Sequence, residues 1–268
     1  MRSIPTDFDA TVVADIDARL VAVEQDNDVR VPWAIESGSR AWGFASPDSD
    51  YDCRFFYVRS RKAYADLWPS RDVIETPLEG LLDVNGWDLR KAVRLAVAGN
   101  ATVGEWLRSP WVYRGDQQFR DDLLELVAAV TDPVRLRRHY LHVGRAQWAH
   151  ADEGAGSVRL KRVFYAIRPA VTLHWLDTNS GVPPMNLDEL LAETVVPDDV
   201  RAEIADLRDL KSRTRELGSA PAPQAIAHWT EVTFAAVDDA FRAPSDGLRA
   251  RATDGFLSLV DRWAPDRP

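Results

Sequence analysis

Two acidic side chains follow a glycine-serine turn at a spacing that suits a metal site. Gly38 and Ser39 come directly after an apolar run, and Asp50 and Asp52 lie about a dozen residues further on. On an extended strand, residues i and i+2 point to the same face, so the two carboxylates would lie side by side. Neighbouring carboxylates repel each other unless a cation lies between them. Mg²⁺ takes oxygen ligands and often shares them with substrate phosphates, so the pattern predicts a divalent-metal site beside the turn.

This arrangement resembles the signature of nucleotidyltransferases of the DNA polymerase beta superfamily, in which a small-residue turn precedes an Asp-x-Asp pair. Residues 37–43 and 49–54 extend the resemblance to the YcgL-type branch, which includes predicted nucleotidyltransferases associated with RNA-repair operons. Three later segments also resemble that branch, namely residues 83–92, 105–113 and 161–169. The resemblance runs from about residue 29 to about residue 195. It implies an enzyme that moves a nucleoside monophosphate from an NTP, with ATP expected, to an acceptor hydroxyl.

The resemblance also implies two divalent ions, Mg²⁺ or Mn²⁺, bound by Asp50, Asp52 and a third carboxylate. In such sites two metals about 4 Å apart stabilise the attacking and the leaving oxygen. Asp83, on a strand predicted over 81–85, resembles the third acid of the family. Asp88 is the alternative, although an aspartate before Leu-Arg-Lys-Ala is also typical of a helix N-cap.

The nucleotide is expected to contact residues of the turn. Gly38 permits close approach of the backbone, and the N–H groups at a helix start attract anions. The Ser39 hydroxyl can donate a hydrogen bond to a phosphate oxygen. Arg40 has two alternative partners, a phosphate group or Asp48, and the sequence does not choose between them.

A later helix is expected to contribute to the same nucleotide site. Lys161, Tyr165 and Arg168 are spaced i, i+4 and i+7, so they share one helix face. The resemblance implies that this helix closes over the nucleotide, with Lys161 at the triphosphate and Tyr165 or Arg168 stacked on the base. The alternative is that Tyr165 is a core residue and that the two cations are solvated.

Apolar spacing predicts the elements that must position these residues. A helix is predicted over 9–26, strands over 29–35 and 51–58, and two short strands over 72–75 and 80–85. From Asp88 onward the pattern is helical. Further helices are predicted over 116–130, 133–150, 157–177, 186–194, 198–216, 222–242 and 246–262.

The predicted fold is therefore α+β, with a small mixed-sheet head followed by a helical C-terminal half. The resemblance implies that the head is a nucleotidyltransferase domain like the palm of polymerase beta. We expect a boundary near residue 115, with a catalytic domain over 1–115 and a helical domain over 116–268. The second domain is expected to complete the nucleotide and acceptor sites.

Composition limits the classes of protein to consider. The chain has 268 residues, enough for one large or two modest cores, and a single cysteine, Cys53, which cannot form an internal disulfide or a zinc site alone. No stretch of about 20 uncharged apolar residues predicts a membrane span, and the first residues lack a hydrophobic signal core. We therefore expect a cytoplasmic protein without membrane partners.

The charge of the chain limits the kinds of acceptor that it could bind. The formal net charge of −9 argues against a nucleic-acid binder held by nonspecific electrostatics. Residues 134–168, however, contain eight arginines and lysines against two acidic residues, which suits a polyphosphate or a short RNA end. An RNA end is the favoured acceptor, on the resemblance alone. Two alternatives stay open: an adenylyltransferase that modifies an antibiotic or a protein, and a non-catalytic regulator that binds NTP or RNA on the same scaffold.

Overall fold

A computed structural model describes residues 1–154, 156–213 and 218–265. The helices are α1 (Ala10–Asn27), α2 (Gly38–Trp42), α3 (Arg61–Ala65), α4 (Leu89–Val97), α5 (Thr102–Leu107), α6 (Gln117–Val130), α7 (Pro133–Ala149), α8 (Leu160–Thr178), α9 (Leu187–Glu193), α10 (Asp198–Arg213), α11 (Gln224–Ala236) and α12 (Asp246–Trp263). The strands are β1 (Arg30–Glu36), β2 (Tyr51–Val58), β3 (Val73–Glu75), β4 (Leu82–Asp88), β5 (Val112–Gly115), β6 (Asp152–Gly154), β7 (Ser157–Arg159) and β8 (Ser219–Pro221). The chain forms two compact units, which are described separately.

Unit 1 contains a five-stranded mixed sheet and is assembled from three segments of the chain. It comprises residues 1–38, 50–132 and those from Ala243 onward. Its strands are ordered β3-β4-β2-β1-β5, and β2 and β4 are parallel whereas the other neighbours are antiparallel. The apolar face of α1 joins alternate residues of β2 and β4, together with Val31 and Ala34 of β1, in one buried cluster. The sheet thus gives β2 a rigid support on both sides.

The last helix, α12, belongs to unit 1 and packs against α4 and α6. Trp263 meets Phe119 edge to face at 5.3 Å, and its indole N–H donates to Asp122 Oδ2 at 2.9 Å. Arg262 pairs with the same carboxylate at 2.8 Å. Although partial burial raises the pKa of Asp122, hydrogen bonds from Gln118, Trp263 and Arg262 hold it below its ordinary value. This carboxylate therefore fastens the C-terminal helix to α6.

Unit 2 comprises residues 39–49 and 133–242 and has its own core. Apolar side chains of α8, α9, α10 and α11 surround Phe44, whose ring stacks on Phe164 at 4.9 Å. A small antiparallel sheet, ordered β6-β7-β8, lies at the start of α8. The short segment 39–49 is therefore packed as part of this helical unit.

Polar contacts from later helices fix segment 39–49 within unit 2. The ammonium group of Lys211, which is 1% exposed, donates to the Phe44 carbonyl at 2.7 Å. Arg208 donates to the Gly43 carbonyl at 2.9 Å, and Asn186 to the Ala41 carbonyl at 3.2 Å. Three backbone carbonyls of the segment are thus bonded to side chains more than a hundred residues away in sequence.

The predicted fold class is confirmed, with a mixed-sheet head and a helical C-terminal half. The strand predicted over 51–58 is β2, but two helices start or end elsewhere. Residues 157–159 form β7 before α8 begins, because they pair with β8. The helix predicted over 222–242 ends at Ala236. Beyond this end, the Asp239 side chain pairs with Arg138 and His142 of α7. The end of the helix predicted over 198–216 lies outside the described residues.

The two units do not follow a single boundary at residue 115. Helix α6 packs on α4 and α5 of unit 1, and α12 returns to the same unit, whereas residues 39–49 pack in unit 2. These divisions depend on contacts between distant segments, which local spacing does not encode. In the described ranges, no helix combines the length and the apolar character needed to cross a lipid bilayer.

Candidate active site

Parallel pairing of β2 and β4 brings Asp52 and Asp83 together. The register aligns Asp52 with Asp83 and, two residues on, Arg54 with Asn85. Neighbouring strands lie about 4.8 Å apart and residues in register share a face, so these four side chains form one polar patch. This patch, Asp52, Arg54, Asp83 and Asn85, is called the carboxylate pair site below.

Arg54 joins the two carboxylates of this site. Its Nη2 donates to Asp52 Oδ1 at 2.9 Å and to Asp83 Oδ2 at 2.7 Å. The side-chain amide of Asn85 donates to the other oxygen of Asp83, Oδ1, at 2.5 Å. A cationic group thus lies between two carboxylates, which is the electrostatic arrangement that the sequence predicts for a metal.

Asp50 lies one residue before β2 and is half-buried. The strand therefore carries Asp52 but not Asp50. Among the described side chains, no three of His, Cys, Asp and Glu are close enough together to hold a metal ion. The donors of the carboxylate pair site fit a cation in type and charge, since two carboxylates face each other across a positive group. In this conformation that group is Arg54.

A buried glutamate fixes the backbone of Asp52. Glu36 is fully buried at the end of β1, and its Oε1 accepts a hydrogen bond from the Asp52 N–H at 3.0 Å. The Tyr113 hydroxyl donates to Glu36 Oε2 at 2.5 Å. Burial, together with the negative charge of Glu36, raises the pKa of Tyr113, so the phenol keeps its proton. The Ser37 N–H donates to the Asp52 carbonyl at 2.8 Å, so both backbone polar groups of Asp52 are hydrogen-bonded.

Gly38 lies directly against the Asp52 carboxylate. Its φ is +58°, in the left-handed region that favours glycine. A Cβ at this position would lie 1.9 Å from Asp52 Oδ2. The glycine therefore leaves room for this carboxylate as well as allowing the turn.

The alternative third acid, Asp88, has a structural role at the far end of the same strand. It is aligned with Tyr57, five residues along β4 from Asp83 and thus about 17 Å away. It caps α4 by accepting from the Arg90 N–H at 2.7 Å, and it pairs with Arg59 at 3.3 Å. Burial raises the pKa of Asp88. Its distance from Asp52 favours Asp83 as the third acid.

Ser39 and Arg40 are engaged within segment 39–49 of unit 2. The Ser39 hydroxyl donates to Ser49 Oγ at 3.0 Å, and Ser46 Oγ lies 2.9 Å from the same atom. All three serines are buried. Arg40 donates to the Ser49 carbonyl at 2.7 Å. Both ends of the segment are therefore tied to each other.

Lys161, Tyr165 and Arg168 share one face of α8, as their spacing predicts. Tyr165 is half-buried and meets Trp42 edge to face at 4.7 Å, with the Lys161 ammonium 5.8 Å from the centre of the Tyr165 ring. Arg168 is 3% exposed, stacks over Trp42 at 4.9 Å, and donates to the Met185 carbonyl at 2.8 Å. The guanidinium of Arg168 is thus a structural partner of Trp42, whereas Lys161 and Tyr165 retain accessible surface.

Much of the positive charge of residues 134–168 is neutralised within unit 2. Arg135 is buried, and the ion pairs include Arg137–Asp177, Arg138–Asp239 and Arg159–Glu153 at 2.7, 3.0 and 2.9 Å. The acidic partners at 177 and 239 lie outside the stretch, so a count over residues 134–168 alone overstates its free charge. The stretch therefore gives less support to an extended RNA-binding surface than its composition indicates.

Sequence reasoning missed Glu36, Arg54 and Tyr113. A usable signal existed for Arg54, because it lies two residues after Asp52 on a strand and must share its face. Glu36 directly precedes the turn but reads as the end of an apolar strand. Tyr113 is 77 residues away from Glu36, and only the pairing of β1 with β5 brings the two together.

Comparisons with known proteins relate the chain to one family and to one bacterial relative. Residues 12–258 match the model of the RNA repair pathway DNA polymerase beta family, RlaP. The uncharacterized protein YcgL of Bacillus subtilis (strain 168) is 38% identical over 198 residues, which cover 74% of this chain and 76% of that protein.

Proposed function

The chain belongs to the RNA repair pathway DNA polymerase beta family, and from this premise we propose that it is a metal-dependent nucleotidyltransferase. The reaction would move a nucleoside monophosphate from an NTP to an acceptor hydroxyl and release pyrophosphate. The observation that carries the proposal is the in-register pairing of Asp52 with Asp83, directly beside Gly38. The barrier to this transfer is largely electrostatic. The protein therefore lowers it by supplying charge and by positioning the reactants rather than by forming a covalent bond to them.

The proposal gives separate roles to the three aspartates of unit 1 and to the two residues that position Asp52. Asp50, Asp52 and Asp83 would bind Mg²⁺ or Mn²⁺, two ions in all, which supply positive charge at the transferring phosphoryl group when bound. Glu36 holds the Asp52 backbone through its N–H, and Gly38 leaves space for the Asp52 carboxylate. Because β2 and β4 are interior strands of the sheet, Asp52 and Asp83 keep their spacing without a loop having to order.

The nucleotide-binding residues are proposed on the family resemblance. Gly38, Ser39 and Arg40 would contact the phosphates of ATP. Lys161 would bind the triphosphate, and Tyr165 would stack on the base, since both retain accessible surface. We propose that Arg168 acts through Trp42, because its guanidinium is buried against that ring.

We propose an RNA end as the acceptor. The family description supports it, since that description refers to an RNA repair pathway. The net charge of −9 and the internal ion pairs of unit 2 favour an acceptor held at a short, local site. A short RNA terminus meets that condition better than a long duplex does.

One observation favours a second candidate, a non-catalytic regulator that binds NTP or RNA. Arg54 already bridges Asp52 and Asp83, so one positive charge lies between the two carboxylates and reduces their repulsion without a metal. A regulator does not catalyse transfer, so it needs no metal at these two carboxylates. The two candidates differ in whether Mg²⁺ changes NTP binding.

Thermal shift with each NTP, with and without Mg²⁺, tests the proposal. A ligand that binds the native state raises its stability by mass action. For the enzyme we expect one NTP to stabilise the wild type only with Mg²⁺, and an Asp50→Asn, Asp52→Asn double variant to lose that gain. That NTP, labelled at the α-phosphate, is then incubated with short RNAs, and label on the RNA identifies the acceptor. An NTP that stabilises both proteins equally without Mg²⁺ would support the regulator.

A further inference from the structure

Arg54 is fastened to the carboxylate pair site by four hydrogen bonds. Its Nη2 donates to Asp52 and Asp83, and its Nη1 donates to the backbone carbonyls of Asp83 at 2.9 Å and Cys53 at 3.1 Å. Two of the four bonds therefore do not involve carboxylates. They keep the guanidinium near the site even when the carboxylate bonds are lost.

The carboxylate oxygens that Arg54 occupies are also the ones that a shared cation would need. Asp83 Oδ1 is taken by Asn85, and Asp52 Oδ2 faces Gly38. Asp52 Oδ1 and Asp83 Oδ2 are the two oxygens that meet at a common point, and Nη2 lies at that point. A divalent cation and the guanidinium would compete for the same pair of oxygens.

We propose that Arg54 is an internal competitor for the metal, which holds Asp52 and Asp83 at a fixed separation and lowers their affinity for divalent cations in the free protein. The inference rests on the proposed function, because it takes the carboxylate pair as the metal site. Its role is positioning, since the guanidinium acts through the two aspartates. Side-chain exposures of 17% for Arg54, 23% for Asp52 and 30% for Asp83 leave the pair accessible to an ion from solvent.

The test is the dissociation constant of Mn²⁺ for the nucleotide-free protein, measured by electron paramagnetic resonance of the unbound ion. Arg54→Gln removes the competing charge and should bind Mn²⁺ roughly tenfold more tightly, or better, than the wild type. Arg54→Lys keeps the charge but lacks the second nitrogen, Nη1, that bonds the Asp83 and Cys53 carbonyls and holds the cation at the site, so it should give a smaller gain.

Arg59→Gln is the matched control. Arg59 pairs with Asp88 at the other end of the same two strands, and its side chain is 16% exposed, close to the value for Arg54. Its Mn²⁺ affinity should equal that of the wild type. Circular dichroism establishes that each variant is folded; if Arg54→Gln does not fold, the Arg54→Lys result decides.

Affinity that is unchanged or weaker in the Arg54 variants would overturn the inference, since a merely structural arginine would loosen the site on removal. Asp52→Asn separates this failure from failure of the proposed function. If the wild type binds Mn²⁺ with an NTP and Asp52→Asn does not, the metal site stands and only the competitor role is wrong. If neither protein binds Mn²⁺ at millimolar concentration with an NTP, the proposed function fails as well.

Discussion

The substitution Gly38→Ala would place a methyl group against the carboxylate of Asp52. The new Cβ would lie 1.9 Å from Asp52 Oδ2 and 2.8 Å from its Cγ, whereas ordinary contact begins at 3.4 Å. The carboxylate would have to retreat by about 1.5 Å, and a misplacement of about 1 Å at a reacting centre can cost roughly 100-fold in rate. The φ of +58° adds about 1–2 kcal/mol of backbone strain for any residue with a Cβ.

Gly80→Ala separates the strain from the collision. Gly80 has a φ of +61°, and a Cβ there would meet nothing within 4 Å. This variant should lose about 1–2 kcal/mol in the free energy of unfolding and keep its affinity for Mg²⁺ with NTP. Gly38→Ala should lose at least as much stability and also lose metal-dependent NTP binding.

Urea unfolding measures the stability of both variants, and titration calorimetry measures NTP binding in the presence of Mg²⁺. Pyrophosphate release gives the rate once the acceptor is known. If Gly38→Ala binds NTP with Mg²⁺ as tightly as Gly80→Ala does, the position of Asp52 does not matter to binding. The assignment of Asp52 as a metal ligand would then be refuted.

Three further predictions concern other parts of the chain. Lys161→Ala should raise the KM for NTP with little change in kcat or stability, measured by steady-state kinetics; an unchanged KM would leave Lys161 a solvated surface residue. Lys211→Met should lower the free energy of unfolding by about 1–3 kcal/mol in urea, because the Phe44 carbonyl loses its charged donor; no loss would show that segment 39–49 is held by its apolar packing. The pKa of Asp122 is lowered in the fold, so its contribution is present above its unfolded pKa of about 3.9 and is lost as the pH falls through the folded value. The stability advantage of the wild type over Asp122→Asn in urea should therefore disappear in that acid range, and a constant difference would contradict the assignment.

The elements that carry the signature could be predicted because their residues act locally. Strand β2 alternates between buried and partly exposed residues over its first half and is wholly apolar and buried over its second, so its sequence predicts a strand from residue 51 to residue 58. The placement of Asp83 beside Asp52 depended on a family resemblance, because no local sequence pattern indicates that β2 and β4 pair in parallel. The catalytic use of both residues is still a prediction.

Features that depend on distant partners could not be predicted from local spacing. Strand β5 has four residues and is defined by its pairing with β1 at the sheet edge. The contact between Tyr113 and Glu36 follows from that pairing alone. Helix α12 has an amphipathic pattern that would suit either unit, and only its contacts with α4 and α6 assign it to unit 1.

The discontinuous make-up of unit 1 has a consequence for synthesis on the ribosome. Roughly 130 residues separate the end of α6 from the end of α12, which corresponds to roughly 7–26 s at a translation rate of about 5–20 residues per second. During that interval the nascent chain carries the apolar surfaces of α4 and α6 that α12 later covers, while residues 133–242 of unit 2 are synthesised. Early release, or a stop codon before residue 246, would therefore damage the sheet-containing unit although every residue of the sheet had been made. Chaperones that shield apolar helix surfaces are expected to bind this nascent chain until α12 has emerged.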